Sequence, residues 1–359
     1  MKRLFVFLFA LALPLGAQEY KMAVIGLVHS HVWGHLPAMV KSHDVKLVGI
    51  AETIPDLVAE AKKIAGADVP IYSDYKKMLD ETKPDFVWSF VPNNQHLDII
   101  KACAPRGIHV IFEKPLAATY KEALEVQRLA KQHHIKVMTN YQMAWWPANY
   151  TAKAQADGGV GQVWRLHGIV GHGGPGSKGV RSQYFFEWLT DPVKNGAGAL
   201  MDFGCYNALW SLWYLGRPET VYAQVNHLRP ETFPKVEDNS DMILHYKNAV
   251  GIFEGSWDLP RAYQDLEVFG REGSIYMQNG KVELRKGNGR GKNNEAQSVK
   301  IDPLPPERSE PVAYMVNVLR NKKEVEGLTA LDINVGVVEI IDAAKESVKT
   351  GRAIPLPKK

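Results

Sequence analysis

Cysteine is scarce in this 359-residue chain, which carries only Cys103 and Cys205. The first falls in an expected N-terminal helix and the second in a motif of the other half, so two buried free thiols are expected rather than a bridge. Charge of one sign is also missing: 43 Lys and Arg stand against 39 Asp and Glu, mixed along the chain. The resulting +4 makes no basic stripe, and nucleic acid is not an expected partner. No apolar run reaches the length of a membrane span, and no internal repeat is present. Glycine is short at one particular place. The stretch Ala23–His35, AVIGLVHSHVWGH, begins like a strand entering a dinucleotide-binding turn, yet keeps only Gly26 and has Val28 and His31 where the second and third glycines would stand.

What is present suits a soluble globular protein. The content is 45% hydrophobic and 23% charged, and the length allows two domains, each with a core. Lys2 and Arg3 precede an apolar run, Leu4 to Leu15, that closes on Gly16-Ala17. This is the layout of a secretory signal over residues 1–17, although Leu15 is larger than the residue usual before such a cut. Export to a periplasm is expected, with no stable membrane anchor after cleavage.

Residues 18–141 alternate short Val- and Ile-rich runs with amphipathic segments. Strands are expected at Met22–Leu27, Val45–Ala51, Asp85–Val91, His109–Phe112 and Lys136–Thr139, with helices between them near Val32–Lys41, Pro55–Ala65, Asn94–Ala104 and Lys121–His133. That alternation predicts a doubly wound parallel sheet of Rossmann type. Over residues 142–330 the texture changes to a run of strands with few helices, separated by turns such as Asn279-Gly280. An α+β domain with a large, mostly antiparallel open sheet is expected there, serving substrate binding and oligomerisation. Gly287 to Ser298 reads as a mobile loop. Residues 331–359 return to a helix and tail, expected to pack back on the first domain.

Context rescues the poor glycine turn. It follows the first strand, precedes a helix, and is followed by Glu52 at the end of the second strand. A carboxylate there accepts from a ribose diol and repels a 2′-phosphate, which favours NAD over NADP. Gly26, Val28, His29, Ser30 and His31 then form the phosphate turn, with Ser30, the backbone amides and an imidazole as donors. Two other readings stay open: the histidines pack or face solvent, or His31 and His35, four apart on a helix, share a metal. No acidic or cysteine ligand accompanies that pair nearby, and no metal is expected.

Three motifs narrow the function. They are Val91-Pro92-Asn93-Asn94-Gln95-His96, Gly107-Ile108-His109-Val110-Ile111-Phe112-Glu113-Lys114-Pro115, and Gly198-Ala199-Leu200-Met201-Asp202-Phe203-Gly204-Cys205-Tyr206. In this order they resemble the Gfo/Idh/MocA family of sugar and cyclitol oxidoreductases. The resemblance implies NAD(P) bound by the first domain, hydride transfer at a carbohydrate carbon, and a dimer or tetramer. It also implies cofactor contacts from Pro92, Asn93, His96, Glu113 and Lys114. Many members carry Asp-x-Gly-x-His-x-x-Asp; here Asp202, Gly204, Tyr206 and Leu209 take those places, which is similar to the branch with tyrosine for the catalytic histidine.

On this reading Lys114 lowers the Tyr206 phenol into a useful range, and Tyr206 takes the proton of a substrate hydroxyl. Lys114 holds the hydroxyl oxygen and Asp202 orients the pair. Among the aromatics, Trp145, Trp146 and Trp188 are expected to stack on a sugar, and His172, in the loop Gly171–Gly179, to reach it. Two other activities remain within reach: an NAD-dependent glycoside hydrolase or lyase working by transient oxidation, and a sugar-binding protein without catalysis.

Overall fold

The structure, a computed structural model, describes residues 19–287 and 295–357. The expected signal over 1–17, and residues 288–294 of the expected mobile loop, lie outside the described residues. Among the described residues no helix is long and apolar enough to cross a membrane.

The first half runs β1 (Tyr20–Ile25), α1 (Val32–Lys41), β2 (Val45–Ala51), α2 (Pro55–Ala65), β3 (Ile71–Tyr72), α3 (Tyr75–Thr82), β4 (Phe86–Ser89), α4 (His96–Cys103), β5 (His109–Glu113), α5 (Tyr120–Gln132) and β6 (Val137–Asn140). Apolar residues fill both faces of these strands because helices cover both sides, and β4 and β6 are buried at every position. Helix starts are set locally. Pro55 opens α2, and Thr119 and Glu122 close a reciprocal cap on α5. The six strands are parallel, in the order β3-β2-β1-β4-β5-β6. Strand order reverses between β1 and β4, so the ligand crevice opens outside their carboxyl ends.

The second half runs α6 (Pro147–Gly159), β7 (Val163–Gly171), α7 (Val180–Leu189), α8 (Ala199–Asp202), α9 (Gly204–Leu215), β8 (Thr220–Asn226), β9 (Asn239–His245), β10 (Val250–Ser256), β11 (Tyr263–Gly270), β12 (Gly273–Gln278), β13 (Lys281–Lys286) and β14 (Gln297–Ser298). Then come α10 (Pro311–Arg320), α11 (Leu331–Thr350) and β15 (Ile354–Pro355). The nine-stranded sheet has the order β14-β13-β12-β11-β7-β10-β9-β8-β15 and is antiparallel except where β7 meets β10. Helices α6, α9 and α11 pack on it. The α/β class with two sheets agrees with the expectation.

Three details correct it. The second half holds more helix than its strand-like texture suggested. Residues 297–298 of the expected loop pair with β13. Helix α10, assigned by sequence to the substrate half, puts Val312, Met315 and Val316 into the core beneath β1 and β4. Helix α11 is buried on almost every side: Val337, Ile340 and Ile341 enter the core of the second half, while Val335 and Val338 enter that of the first.

Candidate active site

The carboxyl ends of β1, β2, β4, β5 and β6 converge on one cleft. Gly26 leaves β1 with φ of +78°, and a Cβ there would meet Val91 Cγ1 at 2.7 Å. Glycine is therefore required at this one position of the turn. Glu52, half-buried at the end of β2, accepts from the Leu27 amide at 2.8 Å and from the Thr53 and Ile54 amides at 2.7 and 2.9 Å. A cleft of about 300 Å³ lies beside it, lined by Gly26, Val28, Glu52, Ile54, Pro92 and Gln95, with Tyr184 and Trp188 of α7 on the far wall.

The adenosine end of a dinucleotide fits this cleft, with the Glu52 carboxylate at its rim. The phosphate end is narrower. The His29 amide donates to the Phe90 carbonyl at 3.2 Å and the His31 amide to His29 Nδ1 at 3.2 Å. The amides of Val28 and Ser30 make no bond to the described residues and remain for a phosphate. Helix α7 lies across the opening. Trp188 Nε1 donates to the Val28 carbonyl at 3.2 Å, and Arg181 pairs with Glu60 of α2 at 3.0 Å while covering the Trp33 ring.

At the other end, Glu113 closes β5 and is fully buried. Its Oε1 accepts from Trp88 Nε1 at 3.2 Å and from Asn140 Nδ2 at 2.8 Å, and its Oε2 meets His31 Nδ1 at 2.8 Å. Burial opposes its charge, but His31, His29 and Asn140 together hold the carboxyl well below the usual range. The His31 ring thus turns toward Glu113. His29 is buried against Phe185 and Trp188. Burial and then the neighbouring His31 push its imidazole well below the ordinary value. His35 does not pair with His31 toward an ion; its ring packs on Trp88 at 4.6 Å.

Next in the chain, Lys114 carries the chemistry to the second half. The ammonium is buried and paired with the Asp202 carboxylate, whose other oxygen accepts from Trp257 Nε1 at 2.8 Å. Burial would discharge Lys114, but Asp202 outweighs it and holds the ammonium charged; the same pairing depresses the Asp202 carboxyl against its own burial. The nitrogen lies 5.4 Å from the centre of the Tyr206 ring, within cation–π reach. Burial raises the phenol further than Lys114 lowers it. The expectation that Lys114 makes Tyr206 a ready phenolate is therefore corrected: Tyr206, buried, keeps its proton.

Other expected residues separate. Pro92 lines the cleft. Asn93 turns away, donating to the Asn195 carbonyl and side-chain oxygen at 3.1 and 2.8 Å. His96 is sealed behind the loop, bonded through Nδ1 to the Leu116 carbonyl at 3.1 Å, and burial pushes it down to about 4. It braces the loop that follows Lys114 and does not line the cleft. Trp145 donates to Asn140 Oδ1 at 2.7 Å, Trp146 is exposed, and Trp188 lines the nucleotide cleft, so the three rings lie in different surroundings. His172 stands exposed at the rim, edge-on to Phe203, with Nδ1 accepting from the Gly174 amide at 3.0 Å. Trp257, Trp88 and Asn140 were missed. Only Asn140 had a signal, its place at the carboxyl end of a parallel strand.

Two of the curated proteins similar to this chain are sugar dehydrogenases. The D-xylose 1-dehydrogenase (NADP(+)) 2 of Haloferax volcanii is 28% identical over 231 residues, covering 59% of this chain and 67% of that protein. The levoglucosan dehydrogenase of Pseudarthrobacter phenanthrenivorans is 28% identical over 261 residues, covering 63% of each. The chain thus spans about two thirds of the length of these relatives. In fold it is similar to aldose-aldose oxidoreductase from Caulobacter crescentus complexed with glycerol, with a TM-score of 0.80 at 19% identity, over 94% of this chain and 100% of the other. It is likewise similar to levoglucosan dehydrogenase in complex with NADH and levoglucosan, with a TM-score of 0.79 at 22% identity, over 95% and 100%. Residues 20–141 match the oxidoreductase family with an NAD-binding Rossmann fold and residues 149–276 match the GFO/IDH/MocA C-terminal domain. With both halves matched and the motif lysine, aspartate and tyrosine meeting where those halves join, the chain belongs to the Gfo/Idh/MocA oxidoreductase family.

Proposed function

We propose that the protein interconverts a carbinol and a carbonyl on a sugar, glycoside or cyclitol, using NAD. The observation that carries this reading is the meeting of Lys114, Asp202 and Tyr206, from two halves of the chain, just beyond the carboxyl end of β5 in the sheet whose β2 end carries Glu52 and its cleft. NAD, when bound, supplies the hydride acceptor and donor. Gly26 and the free amides of Val28 and Ser30 hold its phosphates, and Glu52 selects a ribose with both hydroxyls. Lys114 directs an N–H at the substrate oxygen, stabilising its negative charge in a site from which water is largely excluded. Asp202 keeps that ammonium charged and aimed. Tyr206, protonated at rest, gives its proton to the oxygen during carbonyl reduction; in the reverse direction it first releases that proton to solvent, and the phenolate then takes the hydroxyl proton as hydride leaves the carbon.

The test is direct. Purified protein is examined by mass spectrometry for bound NAD, then mixed with aldoses and anhydrosugars while NADH absorbance is followed. No bound or binding nucleotide sinks the reading. One observation favours a second: α7 straps the cleft through Trp188, Arg181 and Tyr184, which suits a cofactor retained through a redox-neutral cycle. Release of an aglycone with no net NADH would mark a glycoside hydrolase or lyase of that kind. Export and a dimeric or tetrameric assembly belong to the same proposal. They rest on the N-terminal pattern and the resemblance, and are tested by N-terminal sequencing of the secreted protein and by light scattering.

A further inference from the structure

The turn that lacks glycines has imidazoles instead, and they converge. One nitrogen from each of His29 and His31 and one carboxylate oxygen of Glu113 lie within 4.8 Å of one another. Trp88 and Asn140 occupy Glu113 Oε1, so Oε2 faces both rings. His31 Nδ1 is 2.8 Å from that oxygen and His29 Nε2 is 4.0 Å away. His29 is 1% exposed, and its Nε2 has no hydrogen-bond partner among the described residues. A buried ring nitrogen aimed at a carboxylate beyond bonding distance is an unmet polar group that a small cation between them would satisfy. Lys114, the neighbouring positive charge, is already paired with Asp202.

We propose that His29, His31 and Glu113 bind one divalent first-row transition-metal ion. Two imidazoles and a carboxylate are donors for Zn²⁺, Fe²⁺ and their neighbours, whereas Mg²⁺ and Ca²⁺ prefer oxygen alone. Three protein ligands leave a position open to an oxygen of substrate or phosphate in the cleft. Trp88 and Asn140 orient the carboxylate, and each ligand reaches the ion from a rigid place, the start of α1 or the end of β5. Binding requires three adjustments, the first being that the His31 ring proton moves from Nδ1 to Nε2, so that the 2.8 Å hydrogen bond to Glu113 Oε2 opens to admit the ion. The 4.0 Å separation closes by roughly an ångström to reach ordinary metal–ligand lengths. The His29 ring proton moves to Nδ1, releasing the 3.2 Å contact from the His31 amide. The inference stands apart from the dinucleotide reading, since it needs no cofactor.

The full chain, stripped by a chelator, is titrated with Co²⁺ as a spectroscopic probe and Zn²⁺ as competitor, and NAD is scored separately by mass. One equivalent per chain, with a ligand-field band that Zn²⁺ displaces, is the expected result. His29→Ala and His31→Ala each abolish the band. Asn140→Ala weakens binding by ~10–100-fold, and His35→Ala leaves it unchanged. Should His29→Ala fail to fold, His31→Ala, at the partly exposed ring, decides alone. The proposal is overturned by a wild type that takes up no stoichiometric ion, or by an ion that the folded histidine variants retain. In either case NAD binding by the same sample leaves the oxidoreductase reading standing.

Discussion

Glu52 and Glu113 occupy equivalent places, each at the carboxyl end of a parallel strand of one sheet, yet they are held in opposite ways. Glu52 is half-buried and bonded to three backbone amides. Glu113 is fully buried and bonded to the side chains of Trp88, Asn140 and His31. A carboxylate held by main chain depends on the path of the backbone, which many sequences can follow. One held by side chains depends on the identity of every partner. The nucleotide end is thus set by the path of the main chain, and the reacting end by the identities of the side chains that meet there.

The contrast breaks first at Glu113. Glu113→Ala strands two buried donors, Trp88 and Asn140, and the partly exposed His31, and is expected to lower unfolding free energy by about 4 kcal/mol in urea titrations, against about 1 kcal/mol for Glu52→Ala, whose amides turn to water. Equal losses would erase the distinction. Lys114→Met removes the charge aimed at the substrate oxygen; kcat is expected to fall by ~10²–10³-fold in the NADH absorbance assay, and Tyr206→Phe by ~10²-fold.

A smaller effect comes from the buried side behind Lys114. The His96 imidazole titrates near 6.5 when unfolded and near 4 when folded, because burial disfavours its charge. Its contribution is fully present above pH 6.5 and is lost as pH falls toward 4, since the unfolded chain alone takes the proton in that window. The loss reaches about 3 kcal/mol, and His96→Met is expected to flatten that part of the stability curve in urea titrations. The smallest effect is Glu52→Gln, expected to reduce the preference for NAD over NADP by about tenfold, or ~1.4 kcal/mol, in paired Kd measurements. An unchanged preference would remove Glu52 from nucleotide selection.

Much of the first half was legible because its strands announce themselves. β1, β2 and β5 are apolar runs, and α1 and α2 have the boundaries expected from their periodicity. β3 was not, since Ile71–Tyr72 is too short to show a pattern. Helix α6, rich in alanine and glycine, carries no strong apolar stripe, whereas α10 was missed although its sequence is amphipathic. In the site, Lys114, Asp202 and Tyr206 were found because motifs mark them. Tyr206's proton affinity was misjudged because burial, which outweighed the nearby ammonium, is a property of the fold rather than of the motif. The Glu113 cluster was hidden for a similar reason: His31 and Asn140 are remote in sequence and meet only when β5 lies beside β6 and the turn after β1.

Helix α11 has a further consequence. Its flanks are nailed down on both sides, by Arg217 to Glu339, by the Tyr120 amide to Asp342 at 2.6 Å, and by Ser347 to the Ala223 amide at 2.9 Å. Two regions that match separate family domains therefore share one spine, and neither can melt while the other stands. Calorimetry of the intact chain should show a single endotherm, and a chain cut before Leu331 should recover neither half.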